Sequence, residues 1–181
     1  RTLDFNAVRD DNGNPLFGAN LRYRFAGAYE GLVLGVHGFN QKVNAYTAGV
    51  LDNTSQVKML GAYAFYDANP WEGIAEYYSF NNSNLSTDGS SHKSWAGFFQ
   101  LAYSFPNSLI PYFRYEKANF DQADHYFASQ DSGRSYARQV FGLRYDLNSK
   151  SALKFEYSRN DESRDGGEKY NEAKLQFSVR F

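Results

Sequence analysis

Cysteine is absent from the 181 residues, methionine occurs once and proline four times. The missing cysteines exclude a disulfide scaffold and any thiolate metal site. No stretch approaches 18 consecutive apolar residues, so no membrane-crossing helix is encoded. Neither sign of charge dominates: 19 Lys and Arg stand against 20 Asp and Glu, and a net charge of −1 gives no footprint for a nucleic-acid partner. The three histidines, His37, His92 and His125, fall in separate segments without metal-ligand spacing. No nucleophile elbow, P-loop or dinucleotide fingerprint occurs, and no metal or cofactor is expected.

What is abundant is aromatic. Fifteen Tyr, 16 Phe and two Trp bring the aromatic share to 18%, a composition that suits strands and, for Tyr and Trp, an interface with one wet end. Polar and apolar residues alternate in ten segments: Thr2 to Val8, Leu16 to Phe25, Gly31 to Asn40, Val57 to Tyr66, Trp71 to Phe80, Ser94 to Phe105, Leu109 to Ala118, Arg138 to Tyr145, Ser151 to Arg159 and Glu172 to Phe181. The last is the clearest. Glu172, Lys174, Gln176, Ser178 and Arg180 share one face there, and Ala173, Leu175, Phe177, Val179 and Phe181 the other.

Short connections (26–30, 67–70, 106–108, 146–149) take turns with longer ones (41–56, 81–93, 119–136, 160–169). This asymmetry predicts an all-β fold, a transmembrane antiparallel up-and-down β-barrel in one domain over 1–181, with tight turns on one side of a membrane and long loops on the other. Strands of about ten residues, tilted near 45°, would cross roughly 24 Å. The charged face would then line the lumen. It carries Arg22, Arg24, Lys58, Arg114, Arg138, Arg144, Lys154, Lys174 and Arg180 with Asp4, Glu72, Glu76, Glu116, Glu156 and Glu172, and no charge is expected on the apolar face of any strand. In the strand ending at Phe65 and Tyr66, Met59, Gly61, Tyr63 and Phe65 are read as the apolar row and Lys58, Leu60, Ala62 and Ala64 as the other. Phe25, Tyr66, Trp71, Phe105, Tyr145 and Phe181 would form an aromatic girdle on the short-turn side, with Trp95 and Phe120 near the opposite one.

Phe181 preceded by Val179, Phe177 and Leu175 resembles the closing strand of the outer-membrane β-barrels of Gram-negative bacteria. The resemblance implies that these four residues are the signal read by the barrel assembly machinery, and that the chain sits in outer-membrane lipid. Val140-Phe141-Gly142-Leu143-Arg144-Tyr145-Asp146-Leu147, with Ala152-Leu153-Lys154-Phe155-Glu156-Tyr157 and Ile110-Pro111-Tyr112-Phe113-Arg114-Tyr115-Glu116, is similar to the C-terminal part of porins related to the phosphate-selective porins. That likeness covers about the last 75 residues and implies a larger barrel of about sixteen strands. Two expectations follow: a complete ten-stranded barrel, or the C-terminal part of a longer one, which the strand-like opening at Arg1 favours slightly. No lysine-rich constriction motif is evident, so phosphate preference is not carried over.

The expected function is passive diffusion of small polar or ionic solutes with at most a mild anion preference. The alternative is a non-conducting structural or interaction barrel presenting its long loops to a partner. A homo-oligomer is open on either reading. Asp121, Asp124 and His125 are similar in kind to the Asp/His sites of omptin-type outer-membrane proteases, but their spacing differs and no catalytic residue is expected. Asp10 to Asn14 reads as a plain turn rather than a calcium loop.

Overall fold

The computed structural model describes residues 15–47, 50–128, 134–162 and 167–180. The fold is all-β: one antiparallel sheet in which each strand pairs with its neighbours in sequence. Its strands are β1 (Phe17–Arg24), β2 (Leu32–Thr47), β3 (Val50–Ala68), β4 (Trp71–Asn84), β5 (Ser91–Tyr103), β6 (Leu109–Asn119), β7 (Tyr136–Asn148), β8 (Ser151–Glu162) and β9 (Lys169–Val179). One short helix, α1 (His125–Ala128), lies between β6 and β7. Among the described residues β1 and β9 form no ladder with each other, so both remain edges. The expected strand from Thr2 to Val8, with Asp4, and the terminal Phe181 lie outside the described residues.

The short connections fall where alternation breaks at Gly, Pro, Asn and Ser. The tightest approach is at Gly31, which takes φ +92° against the Asp67 carbonyl, where a Cβ would collide. The other end of the sheet differs from the sequence reading. Residues 41–47 and 50–56 are no loop: β2 runs on to Thr47 and β3 begins at Val50, with Asn44 facing Thr54 and Val43 facing Ser55. Polar residues stand on both faces there, so no two-residue period marks the strands. Cross-strand hydrogen bonds hold them instead, including Thr54 Oγ1 to Asn44 Oδ1 at 2.9 Å. Likewise the connection at 81–93 shrinks to 85–90, because β4 continues to Asn84 and β5 begins at Ser91.

Register divides the side chains into two faces. One carries Leu34, Val36, Leu60, Tyr77, Phe99, Leu101, Phe141, Leu143, Leu153, Phe155, Leu175 and Phe177, all exposed. The other carries the polar residues, and these are the shielded ones: Asn82, Ser158, Ser55, Asn84 and Ser94 are buried. This inverts the usual arrangement of water-exposed polar and buried apolar groups. The shielding comes from curvature. A single cavity of 390 Å³ is lined by Glu72 of β4, Gln100 of β5, Ile110 of β6, Arg144 of β7, Lys154 of β8 and Gln176 of β9. Six strands of a flat sheet would spread over about 24 Å at about 4.8 Å each, so the sheet curls around its polar face.

Two face assignments from the sequence are corrected. On β3 the rows are reversed: Leu60 and Lys58 stand on the apolar face, and Met59, Gly61, Tyr63 and Phe65 on the polar one. Both rows of this strand contain apolar residues, so periodicity could not orient it; His37, packed over Gly61, shows which side is shielded. The apolar face is also not free of charge, because Lys117 and Arg159 continue the rows of β6 and β8 beyond their last aromatic residues. Phe120 belongs to no girdle. It turns to the polar side and stacks on Phe127 of α1 at 4.3 Å.

Candidate functional site

The polar face is the candidate site. Of the fifteen charged residues expected on the lumen side, Arg22, Arg24, Glu72, Glu76, Arg114, Glu116, Arg138, Arg144, Lys154, Glu156, Glu172 and Lys174 share it, Lys58 stands opposite, Arg180 follows the end of β9 and Asp4 lies outside the described residues. On β6 to β9 the charges are mostly paired. Arg114 Nε donates to Glu116 Oε1 at 2.5 Å and its Nη2 lies 3.7 Å from Glu156. Lys154 reaches Glu156 at 3.0 Å, Arg138 reaches Glu172 at 3.5 Å, and Lys174 reaches the same Glu172 oxygen at 2.9 Å. Arg144 forms a forked pair with Asp146, at 2.6 and 3.1 Å. Arg22 and Arg24, on the open edge strand β1, form no ion pair among the described residues. Glu76 accepts from the Tyr78 hydroxyl.

Glycines organise this face by what they leave room for. Tyr112, Gly142 and Glu156 are directly opposite one another on β6, β7 and β8. With no side chain at Gly142, the Tyr112 ring lies across it, and its hydroxyl donates to Glu156 Oε1 at 2.5 Å. Tyr63 repeats the device over Gly35, reaching Asn20 Oδ1 at 3.2 Å on the next-but-one strand. The sequence reading missed these tyrosines. Their signal was present, as a glycine in a polar row facing a Tyr on the neighbouring strand.

At the long-connection end, residues 120–128 fold over the polar face. Phe127 is buried against Phe80 and Phe120. Asp124 is fully buried, accepting from Asn82 Nδ2 at 2.8 Å and from the Tyr126 amide at 2.9 Å. Asp121 accepts from His92 Nδ1 at 2.9 Å and from the Ala123 amide at 2.9 Å. His92 Nε2 in turn lies 2.7 Å from Ser90 Oγ and 3.0 Å from Asn84 Nδ2. Ser90, His92 and Asp121 thus have the distances of a proton-relay triad. The amides beside Ser90 are already committed, its own to Asp88 at 2.9 Å and that of Gly89 to the Asn84 carbonyl at 3.0 Å. His92 is itself buried. The trio fastens the loop to β4 and β5. Of the Asp121, Asp124 and His125 group, His125 contributes its backbone amide, to Asn84 Oδ1 at 3.3 Å.

The two loop carboxylates titrate in opposite senses. The Ala123 amide and then the His92 side chain hold Asp121 below its ordinary range. Burial pushes Asp124 up, against the opposing hydrogen bonds from Asn82 and Tyr126. A raised carboxylate binds its proton more tightly in the docked loop than in the undocked one, so its penalty is absent at low pH and grows as pH rises through the ordinary value to the folded one. Asp121 stabilises docking above its ordinary value, and that contribution fades as pH falls through its lowered one. Among the described residues Asn82 Oδ1 is buried without a partner, so an amide at position 124 has an acceptor waiting once Asn82 flips. Asp124→Asn is expected to leave the loop docked within about 1 kcal/mol and to remove the Asp124 part of the pH dependence; Asp124→Ala strands the Asn82 amide and costs about 1–3 kcal/mol. Hydrogen exchange at the Tyr126 and Ala128 amides reads both.

Leu175, Phe177 and Val179 of the expected assembly signal form an exposed row on the apolar face of β9. Among the described residues no group of His, Asp and Glu side chains is arranged to hold a metal ion. No protein-family model matches the chain, and no curated protein matches it.

Proposed function

We propose that this sheet is the wall of a transmembrane β-barrel of the bacterial outer membrane, and that the barrel is a porin-like channel for passive diffusion of small polar or ionic solutes. The observation that carries the proposal is the inverted amphipathicity: the large apolar side chains are exposed across the sheet while Asn82, Ser158 and Asp124 are buried on the face it curls around. In water an exposed apolar face of this extent would be an aggregation surface; against acyl chains it is the favourable one. The depth of that face supports the reading. From the short-turn end of each strand to a level eight to ten residues away no apolar-face residue is charged, a height of about 20–26 Å for strands tilted near 40°. Closure requires β1 and β9 to find partners, because an edge strand in lipid leaves its backbone groups unsatisfied.

The ion pairs on β6 to β9 leave little net field over that part of the wall, so any anion preference rests mainly on Arg22 and Arg24 and is mild. Planar-bilayer recording tests the proposal. Steady ohmic steps are expected, with a reversal potential in a salt gradient slightly on the anion side that moves towards cations in Arg22→Glu/Arg24→Glu. A folded barrel that stays silent at every voltage would remove the channel. It would favour the second reading, a structural or interaction barrel, for which the inward-folded 120–128 segment over the polar face is the supporting observation.

A further inference from the structure

The charge-free band ends, at the long-connection side, in a row of mostly basic residues. Lys58 and Lys93 lie ten residues from Ala68 and Tyr103, the short-turn ends of β3 and β5; Lys117 and Arg159 lie eight residues from Leu109 and Ser151 on β6 and β8. Lys42 on β2 and Lys169 on β9 lie ten residues from Leu32 and Val179. Register puts all six on the apolar face, and Lys58, Lys93, Lys117 and Arg159 are exposed. The one carboxylate at this level on that face among the described residues is Asp161, held by Lys169 at 3.2 Å.

The densest part of the row is a cluster. Met59 faces Phe80 and Gln56 faces Ser83, so Lys58 stands opposite Asn81, which on its other side faces Lys93. Two ammonium groups therefore flank one amide across three adjacent strands, with backbones about 10 Å apart. Lys117 completes the group from β6, its Nζ 5.9 Å from the centre of the Trp95 ring, and Trp95 stacks on Tyr77. Beside it opens a groove of 580 Å³ lined by Trp95, Lys117, Asn119, Gln122, Ser135 and Asp161.

We propose that this cluster binds the phosphate headgroup of an anionic lipid whose acyl chains lie on the exposed apolar rows below it. The chemistry requires both parts. Ammonium groups that no carboxylate among the described residues neutralises attract phosphate oxygens, and the uncharged rows ending at Tyr77, Trp95 and Tyr115 accept the chains. The inference rests on the membrane-spanning reading.

The two tryptophans permit a test that separates the two ideas, since Trp95 borders the cluster and Trp71 lies at the opposite end of the band. In Trp71→Phe protein reconstituted in phosphatidylcholine vesicles, brominated phosphatidic acid is expected to quench Trp95 with a relative association constant above that of brominated phosphatidylcholine by at least about fivefold, the effect of one basic residue at a membrane surface. Lys58→Gln/Lys93→Gln/Lys117→Gln, which alters only exposed ends, should bring the ratio near unity, and an excess of inorganic phosphate should leave it in place. High salt acting on the unaltered lysines gives the same reduction if the triple variant does not fold. Equal quenching by both lipids, or a preference indifferent to the lysines, overturns this inference while the membrane reading stands. Displacement by free phosphate would reassign the cluster to a soluble anion and overturns it too. No quenching of either tryptophan by brominated phosphatidylcholine in otherwise native protein would remove the membrane reading itself.

Discussion

Val36→Arg is expected to destabilise the protein in a bilayer by about 2–4 kcal/mol, and Ser79→Arg, on the same face but near its long-connection edge, by less than about 1 kcal/mol. Val36 is half exposed between Leu21 and Ala62, four residues from the start of β2 and therefore near the middle of the uncharged band. A guanidinium at that depth has no water and no nearby carboxylate, and must snorkel or thin the bilayer around it. Ser79 is exposed eight residues along β4, beside Leu60 and Trp95 and close to the natural level of Lys117 and Arg159. Were the face exposed to water, both substitutions would be ordinary surface changes within about 0.5 kcal/mol. Guanidinium unfolding of each variant in lipid vesicles decides the matter. Equal, small effects would refute the barrel.

Gly142→Ala is expected to cost about 3 kcal/mol, a large effect for one methyl group. Its Cβ would overlap the Tyr112 ring, so the tyrosine must leave the position in which it shields Val140 and reaches Glu156. Forced repacking accounts for about 1–3 kcal/mol and the lost hydrogen bond to a carboxylate for about 1.5–3 kcal/mol. Tyr112→Ala loses the same contacts but removes the clash. The double variant should therefore cost less than the sum of the single ones, by about 1–3 kcal/mol. Additive costs would show that Tyr112 does not lie over Gly142 in solution.

The sequence was most legible where the two faces of a strand differ. In β1, β5, β8 and β9 one row is apolar and the other carries Arg22, Gln100, Glu156 or Glu172, and a period of two needs no knowledge of neighbours. The same holds for the short connections, whose Gly, Pro, Asn and Ser act within four residues. Where both rows are alike the pattern is silent, and β3 and the polar extension of the β2–β3 hairpin were misread there. The lone basic residues Lys117 and Arg159 escaped notice because each sits a single step past the last aromatic residue of its row. Asp121, Asp124 and His125, adjacent in sequence, turn to different partners, Asp121 to His92, Asp124 to Asn82 and the His125 amide to Asn84, and adjacency alone does not tell these apart.

By itself the sequence determined that the chain makes amphipathic strands in up-and-down order, since alternation and turn chemistry are local properties of a few residues each. Only the tertiary structure decided which row of each strand is shielded, that Tyr112 and Tyr63 lie over Gly142 and Gly35, that residues 120–128 fold onto the polar face, and that lysines distant in sequence fall at one level. Each of these depends on what the curl of the sheet brings beside a residue from one or two strands away, and no periodicity within a strand encodes it.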